Sequence, residues 1–167
     1  FGCAIRIPWV PFHGWFASAQ SEAPSGAAAL LSGVVLKLGA YGLLRFVVPL
    51  VPNALQDNIG ILLVLLGLGT LHAALVGFAQ TRLSGIVAYL SIVQMGLITL
   101  GILALNPQGL SGGVLQMVSH GISVAALLLL LGFFEERRGT LEMKDLGGVA
   151  RPMPIYAVGL GLVALSA

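Results

Sequence analysis

Four side chains have the chemistry to move or hold a charge inside otherwise apolar sequence: Lys37, Gln94, His120 and His13. Lys37 stands midway along the apolar stretch 27–48. An ammonium at that depth in a bilayer costs roughly 2.5–3.5 kcal/mol on insertion scales, so it normally faces a hydrated interior and marks an ion or proton path. Burial drives its proton off and a neighbouring carboxylate holds it on, and a lysine between those influences can exchange a proton near neutral pH. The competing reading is a structural ion pair or snorkelling, and snorkelling is weak this far from either membrane surface.

His120 is the second candidate. Gln116, Ser119, His120 and Ser123 recur at i, i+3, i+4 and i+7, the spacing of one helix face. Such a polar stripe can line a hydrogen-bonded water chain with imidazole as relay, or it can be an interhelical hydrogen-bonding face. Gln94 can bridge waters but does not titrate. His13 follows Pro8 and Pro11, which remove backbone donors and predict a broken helix; breaks at membrane depth often build ion sites. His72 has no polar neighbours at helical spacing and reads as a packed neutral histidine. The histidines are too scattered to argue a metal site.

These groups need elements to position them, and the composition says which. The chain has 167 residues, of which 57% are hydrophobic and 8% charged, against about 25% charged in a typical soluble domain. The mean hydropathy is +1.01. A net charge of +2 is too small to suggest a nucleic-acid partner, and one cysteine, Cys3, excludes an internal disulfide framework. Residues 83–134 contain no Asp, Glu, Lys or Arg. About 20 apolar residues cross a bilayer core, so that stretch holds two spans, parted at Asn106-Pro107-Gln108-Gly109, a turn-forming cluster.

The expected fold class is therefore all-α, a polytopic transmembrane helix bundle in the lipid bilayer, because an open sheet edge in lipid would leave backbone groups unpaired. Residues 1–26 form the end of a discontinuous helix and a connecting segment. Full spans are expected over 27–48, 59–79, 84–105 and 112–134, followed by a polar loop over 135–151 and a truncated span over 152–167. The chain begins and ends inside apolar sequence, which predicts a piece of a larger membrane protein. Glycines within the spans, such as Gly33 and Gly39, permit close helix approach. Arg82, Arg137, Arg138, Lys144 and Arg151 fall in loops on one side and only Arg45 on the other, so the first side is expected to be cytoplasmic.

Several runs carry a family resemblance: Arg6-Ile-Pro-Trp-Val-Pro-Phe-His13-Gly-Trp15, Glu22-Ala-Pro24, Leu36-Lys37-Leu-Gly-Ala-Tyr41-Gly-Leu-Leu-Arg45, Tyr89-Leu-Ser91, Gln94-Met-Gly96, Leu115-Gln-Met117-Val-Ser-His120-Gly121 and Leu146-Gly-Gly148. Together they resemble the antiporter-like membrane subunits of respiratory complex I, most closely the M-type. Subunits of sodium/proton antiporters and membrane-bound hydrogenases share much of the pattern and stay open. The resemblance implies a subunit built from two inverted repeats, each with a discontinuous helix. It implies proton translocation along a central axis of lysine, histidine and water within an NADH:quinone oxidoreductase, in the bacterial inner (plasma) membrane. It also implies other membrane-arm subunits as partners, with no cofactor in this chain and with flavin and iron–sulfur clusters on partner subunits.

Residue by residue, Lys37 matches the family's connecting lysine, His120 a histidine of the central axis, and His13 a histidine near the broken helix. Arg6 stands where the family has a lysine, and Gln94 and Gln20 stand where it has histidines. A guanidinium stays protonated at physiological pH and an amide does not titrate, so a non-conducting structural paralogue remains the competing reading.

Overall fold

The computed structural model describes residues 2–145 and 153–166. Leu146, Gly147, Gly148 and Arg151, singled out above, lie outside the described residues. Among the described residues the chain is helical, with no strand beyond an isolated Arg82–Glu142 bridge. The helices are α1 (Gly2–Arg6), α2 (Gly14–Glu22), α3 (Ser25–Leu50), α4 (Pro52–Phe78), α5 (Leu83–Leu103), α6 (Pro107–Arg138) and α7 (Pro154–Ser166). Four of these, α3 to α6, are long and apolar enough to cross a membrane.

Local chemistry sets several ends. Asn106 caps α6 by accepting a hydrogen bond from the Gly109 amide at 2.6 Å, and Pro107 follows with its φ already helical. At the other end Gly139 takes φ +73°, a left-handed conformation that costs glycine little, and its amide closes on the Glu135 carbonyl at 2.7 Å. Pro52 opens α4 in the same way as Pro107 opens α6. The helices covering the expected spans 59–79 and 112–134 begin earlier, at Pro52 and Pro107, because each proline can start a helix. With 32 residues, α6 is about 48 Å long, well beyond a hydrocarbon core of about 30 Å. Its charged end, Glu135 to Arg138, is exposed.

The break between α1 and α2 falls at residues 7–13, where Pro8 and Pro11 interrupt the donor ladder. Trp15 ties the two pieces together by donating its indole N–H to the Ile5 carbonyl at 3.1 Å. The first piece lies against α3: a β-carbon on Gly39 would meet Ile7 Cγ1 at 2.8 Å and the Arg6 carbonyl carbon at 3.2 Å, so only a hydrogen fits. One core joins Ile7 of the break, Phe16 of α2, and Leu36, Leu66, Ile92 and Ile98 of α3, α4 and α5. A second joins Ala28, Val87, Val124, Leu128 and Leu131 across α3, α5 and α6.

The loops after α4 and α6 share one end of the bundle. Leu83 and Met143 amides donate to the carbonyls of Leu141 and Thr81, both at 3.0 Å, and Arg82 Nε stands 3.9 Å from Glu142 Oε1. That ion pair is solvent-exposed and contributes little on its own; the backbone bonds hold the loops together. The turn between α5 and α6 lies at the opposite end, as antiparallel helices require.

Candidate functional site in the membrane interior

Helix α3 is not a uniform α-helix. Residues Leu31–Val35 and Leu43–Val47 form π turns, and Lys37 sits between them on a short α-helical stretch, Leu36–Gly42. A π turn is costly and rare, and it appears often at functional sites. Here it has a visible consequence. The Lys37 ammonium donates to the carbonyl of Ser32, five residues earlier and inside the first π turn. Widening the turn gives a mid-span ammonium a backbone partner where water is scarce.

Lys37 points along α6. Helices α3 and α6 touch through Gly33 and Gly121: a β-carbon on Gly121 would stand 3.0 Å from the Gly33 carbonyl oxygen and 3.6 Å from Lys37 Cε. The absence of side chains lets the backbones approach and leaves room for the lysine stem. His120, one residue before Gly121, is fully buried at 0% exposure. Its neighbour Gly121 meets the Lys37 stem, so the imidazole belongs to the helix that the lysine follows. Among the described residues neither ring nitrogen of His120 has a hydrogen-bond partner. An imidazole so placed is costly unless something completes its hydrogen bonding. Lys37 also lines a groove of about 770 Å³ between α3 and α6, shared with Tyr41, Met117 and Ile122.

Gln94 and Gln116 meet one turn further along. Gln116 Nε2 donates to Gln94 Oε1 at 2.8 Å, joining α5 to α6. Gln116 and His120 are four residues apart, so this amide pair and the imidazole stack on one side of α6. The expected polar stripe does not hold as a unit. Ser119 is exposed on the outside of α6, and Ser123 accepts a hydrogen bond from Ser166 Oγ of α7 at 3.2 Å. Neighbours on a helix differ by about 100°, so Ser119, one residue from His120, turns away once His120 faces the core. The stripe therefore divides between an inner pair, Gln116 and His120, and two outer serines.

His13 and Arg6 lie apart from that centre. The Arg6 side chain is exposed, although its backbone is wedged against Gly39, two residues from Lys37. The His13 ring stands 6.1 Å from both His72 and Tyr89, edge-on to each, with its Nδ1 buried and lacking a partner among the described residues. His72 was expected to be a packed histidine and is exposed instead; its nearness to His13 has no signature in sequence, since the two belong to different helices.

The architecture is an all-α polytopic membrane bundle with a broken helix and polar groups held in its interior. The chain belongs to the NADH:quinone oxidoreductase/Mrp antiporter transmembrane family, which it matches over residues 1–167. It is 42% identical over 154 residues to the NADH-quinone oxidoreductase subunit M of Rickettsia bellii, covering 92% of this chain and 31% of that protein. It is 40% identical over 164 residues to the subunit M of Pseudomonas aeruginosa, covering 98% and 32%. The fold is similar to respiratory complex I from Thermus thermophilus with bound NADH, with a TM-score of 0.87 and 32% identity over 99% of this chain and 39% of that one. It is also similar to the Mrp complex from Dietzia, with a TM-score of 0.92 and 28% identity over 99% and 31%. The chain thus spans about a third of the length of the curated relatives it matches.

Proposed function

We propose that this chain is part of a proton-translocating membrane subunit of an NADH:quinone oxidoreductase in the bacterial inner membrane, and that protons pass along an axis through Lys37 and His120. The observation that carries the proposal is the lysine itself: a mid-span ammonium between two π turns, on a backbone carbonyl, beside a buried imidazole with unpartnered nitrogens. Lys37 holds or releases the proton, His120 relays it, and water completes the path past the Gln94–Gln116 pair. Arg6, carried by α1 whose backbone meets α3 at Gly39, contributes a positive charge that biases Lys37. His13 serves the break between α1 and α2. Oxidation and reduction take place on partner subunits that carry flavin and iron–sulfur clusters, and other membrane-arm subunits flank this one.

A second reading has its own support. The likeness to the Mrp complex is as close in fold as the likeness to complex I, so the same axis can serve sodium/proton exchange. The test is proton uptake by vesicles carrying the assembled full-length complex during NADH oxidation, with and without sodium, normalised to electron transfer. Pumping that needs no sodium and is lost with the Lys37 amine supports the first reading. Strict sodium dependence supports the second, and pumping indifferent to Lys37 favours a non-conducting structural subunit.

A further inference from the structure

A second polar site lies away from Lys37, at the end of the bundle that carries the Arg82–Glu142 loops. Gln20, on α2, is 1% exposed, and neither its amide nitrogen nor its carbonyl oxygen has a partner among the described residues. Ser84, on the first turn of α5, is 7% exposed, and its hydroxyl likewise has none. Both border one small cavity of about 20 Å³, closed by Ser25, Gly132, Glu135 and Leu141.

Three facts bear on what fills it. A cavity needs about 10–15 Å³ to hold a water molecule and that water needs two to four polar partners; this one has the volume, and Gln20 and Ser84 together offer two donor groups and two acceptors. An unpaired buried amide costs on the order of 1–3 kcal/mol, so two such side chains converging on one hole are stable only if something satisfies both. The hole is too small for anything larger, and Glu135, an exposed residue, gives it a polar rim.

We propose that this cavity binds one water molecule, held by the Gln20 amide and the Ser84 hydroxyl beneath Glu135, and that this water fastens α2 to α5 and α6. The segment following the helix break is then anchored to α5 and α6 through solvent. The site stands independently of proton conduction. Buried Leu128 and Leu131 wall the cavity, and buried Val124 and Leu127 lie between that wall and His120 along α6, so it is not an extension of the central axis.

The test is a structure of the assembled full-length complex at a resolution that shows water, together with a double-substitution cycle. Density within hydrogen-bonding distance of both the Gln20 amide and Ser84 Oγ is expected, and it should vanish in Gln20→Leu, since apolar cavities stay dry. Gln20→Leu and Ser84→Ala should each lower the temperature at which the complex loses half its activity. The double variant should lose less than the two losses added, because removing both partners strands neither. Density absent from the native cavity, a direct protein partner for the Gln20 amide, or additive losses would overturn the proposal.

Discussion

Replacing Lys37 by methionine separates the two things a mid-span lysine can be. Methionine keeps an unbranched stem of similar reach, so the channel between Gly33 and Gly121 stays filled, while the ammonium and its hydrogen bond to the Ser32 carbonyl are lost. A hydrogen bond to a charged group contributes about 1.5–3 kcal/mol. Against it stands the cost of holding the charge at membrane depth, roughly 2.5–3.5 kcal/mol. The two nearly cancel, leaving Lys37→Met between neutral and about 2 kcal/mol more stable than the native chain. A structural ion pair predicts the opposite, since stripping one member from a buried pair costs about 3–5 kcal/mol. The assay is thermal stability and recovery of the assembled complex, alongside proton uptake per electron transferred in vesicles. The expected result is full assembly, unchanged or higher thermal stability, normal electron transfer and lost proton uptake. A complex that fails to assemble would refute the energetics; one that assembles and still pumps would refute the role given to the amine.

The remaining predictions concern the neighbours of that site and the orientation of the chain. Gln94→Leu leaves the Gln116 amide without its 2.8 Å partner and should destabilise by about 1–3 kcal/mol, measured as lowered thermal stability, while Gln94→His should retain the contact and sustain pumping. Gly121→Ala places a β-carbon 3.0 Å from the Gly33 carbonyl, and the overpacking should cost about 1–3 kcal/mol and slow pumping by shifting α3 against α6. Arg6→Lys should preserve or raise proton uptake, and Arg6→Ala should lower it by removing the positive charge carried by α1, whose backbone packs against Gly39. A cysteine at Thr140 should be labelled by membrane-impermeant reagents from the cytoplasmic side, and one at Asn106 from the opposite side; the reverse pattern would invert the orientation drawn from the loop cations.

What the sequence determined by itself was set by the cost of charge in lipid. The absence of charged residues from 83–134, parted by Asn106-Pro107, marks α5 and α6, and Lys37 falls midway along α3. The prolines at 8 and 11 mark the break between α1 and α2, because a missing donor interrupts a helix wherever it occurs. These are one-dimensional properties, readable along the chain.

Only the tertiary structure decided which way each helix is turned. In a soluble bundle the apolar stripe reports the buried face. In a membrane the lipid-facing and packed faces are both apolar, so the pattern of hydrophobicity is silent about rotation around the helix axis. That is why Gln116, Ser119, His120 and Ser123 could be read as one stripe, although the fold sends Ser119 outward and joins Ser123 to α7. It is also why the pairings of Gln94 with Gln116 and His13 with His72 had to await the packing. Each joins helices whose spacing in sequence carries no information about contact. The π turns on either side of Lys37 have no signature in the sequence pattern either, and the first of them supplies the Ser32 carbonyl that accepts from the ammonium.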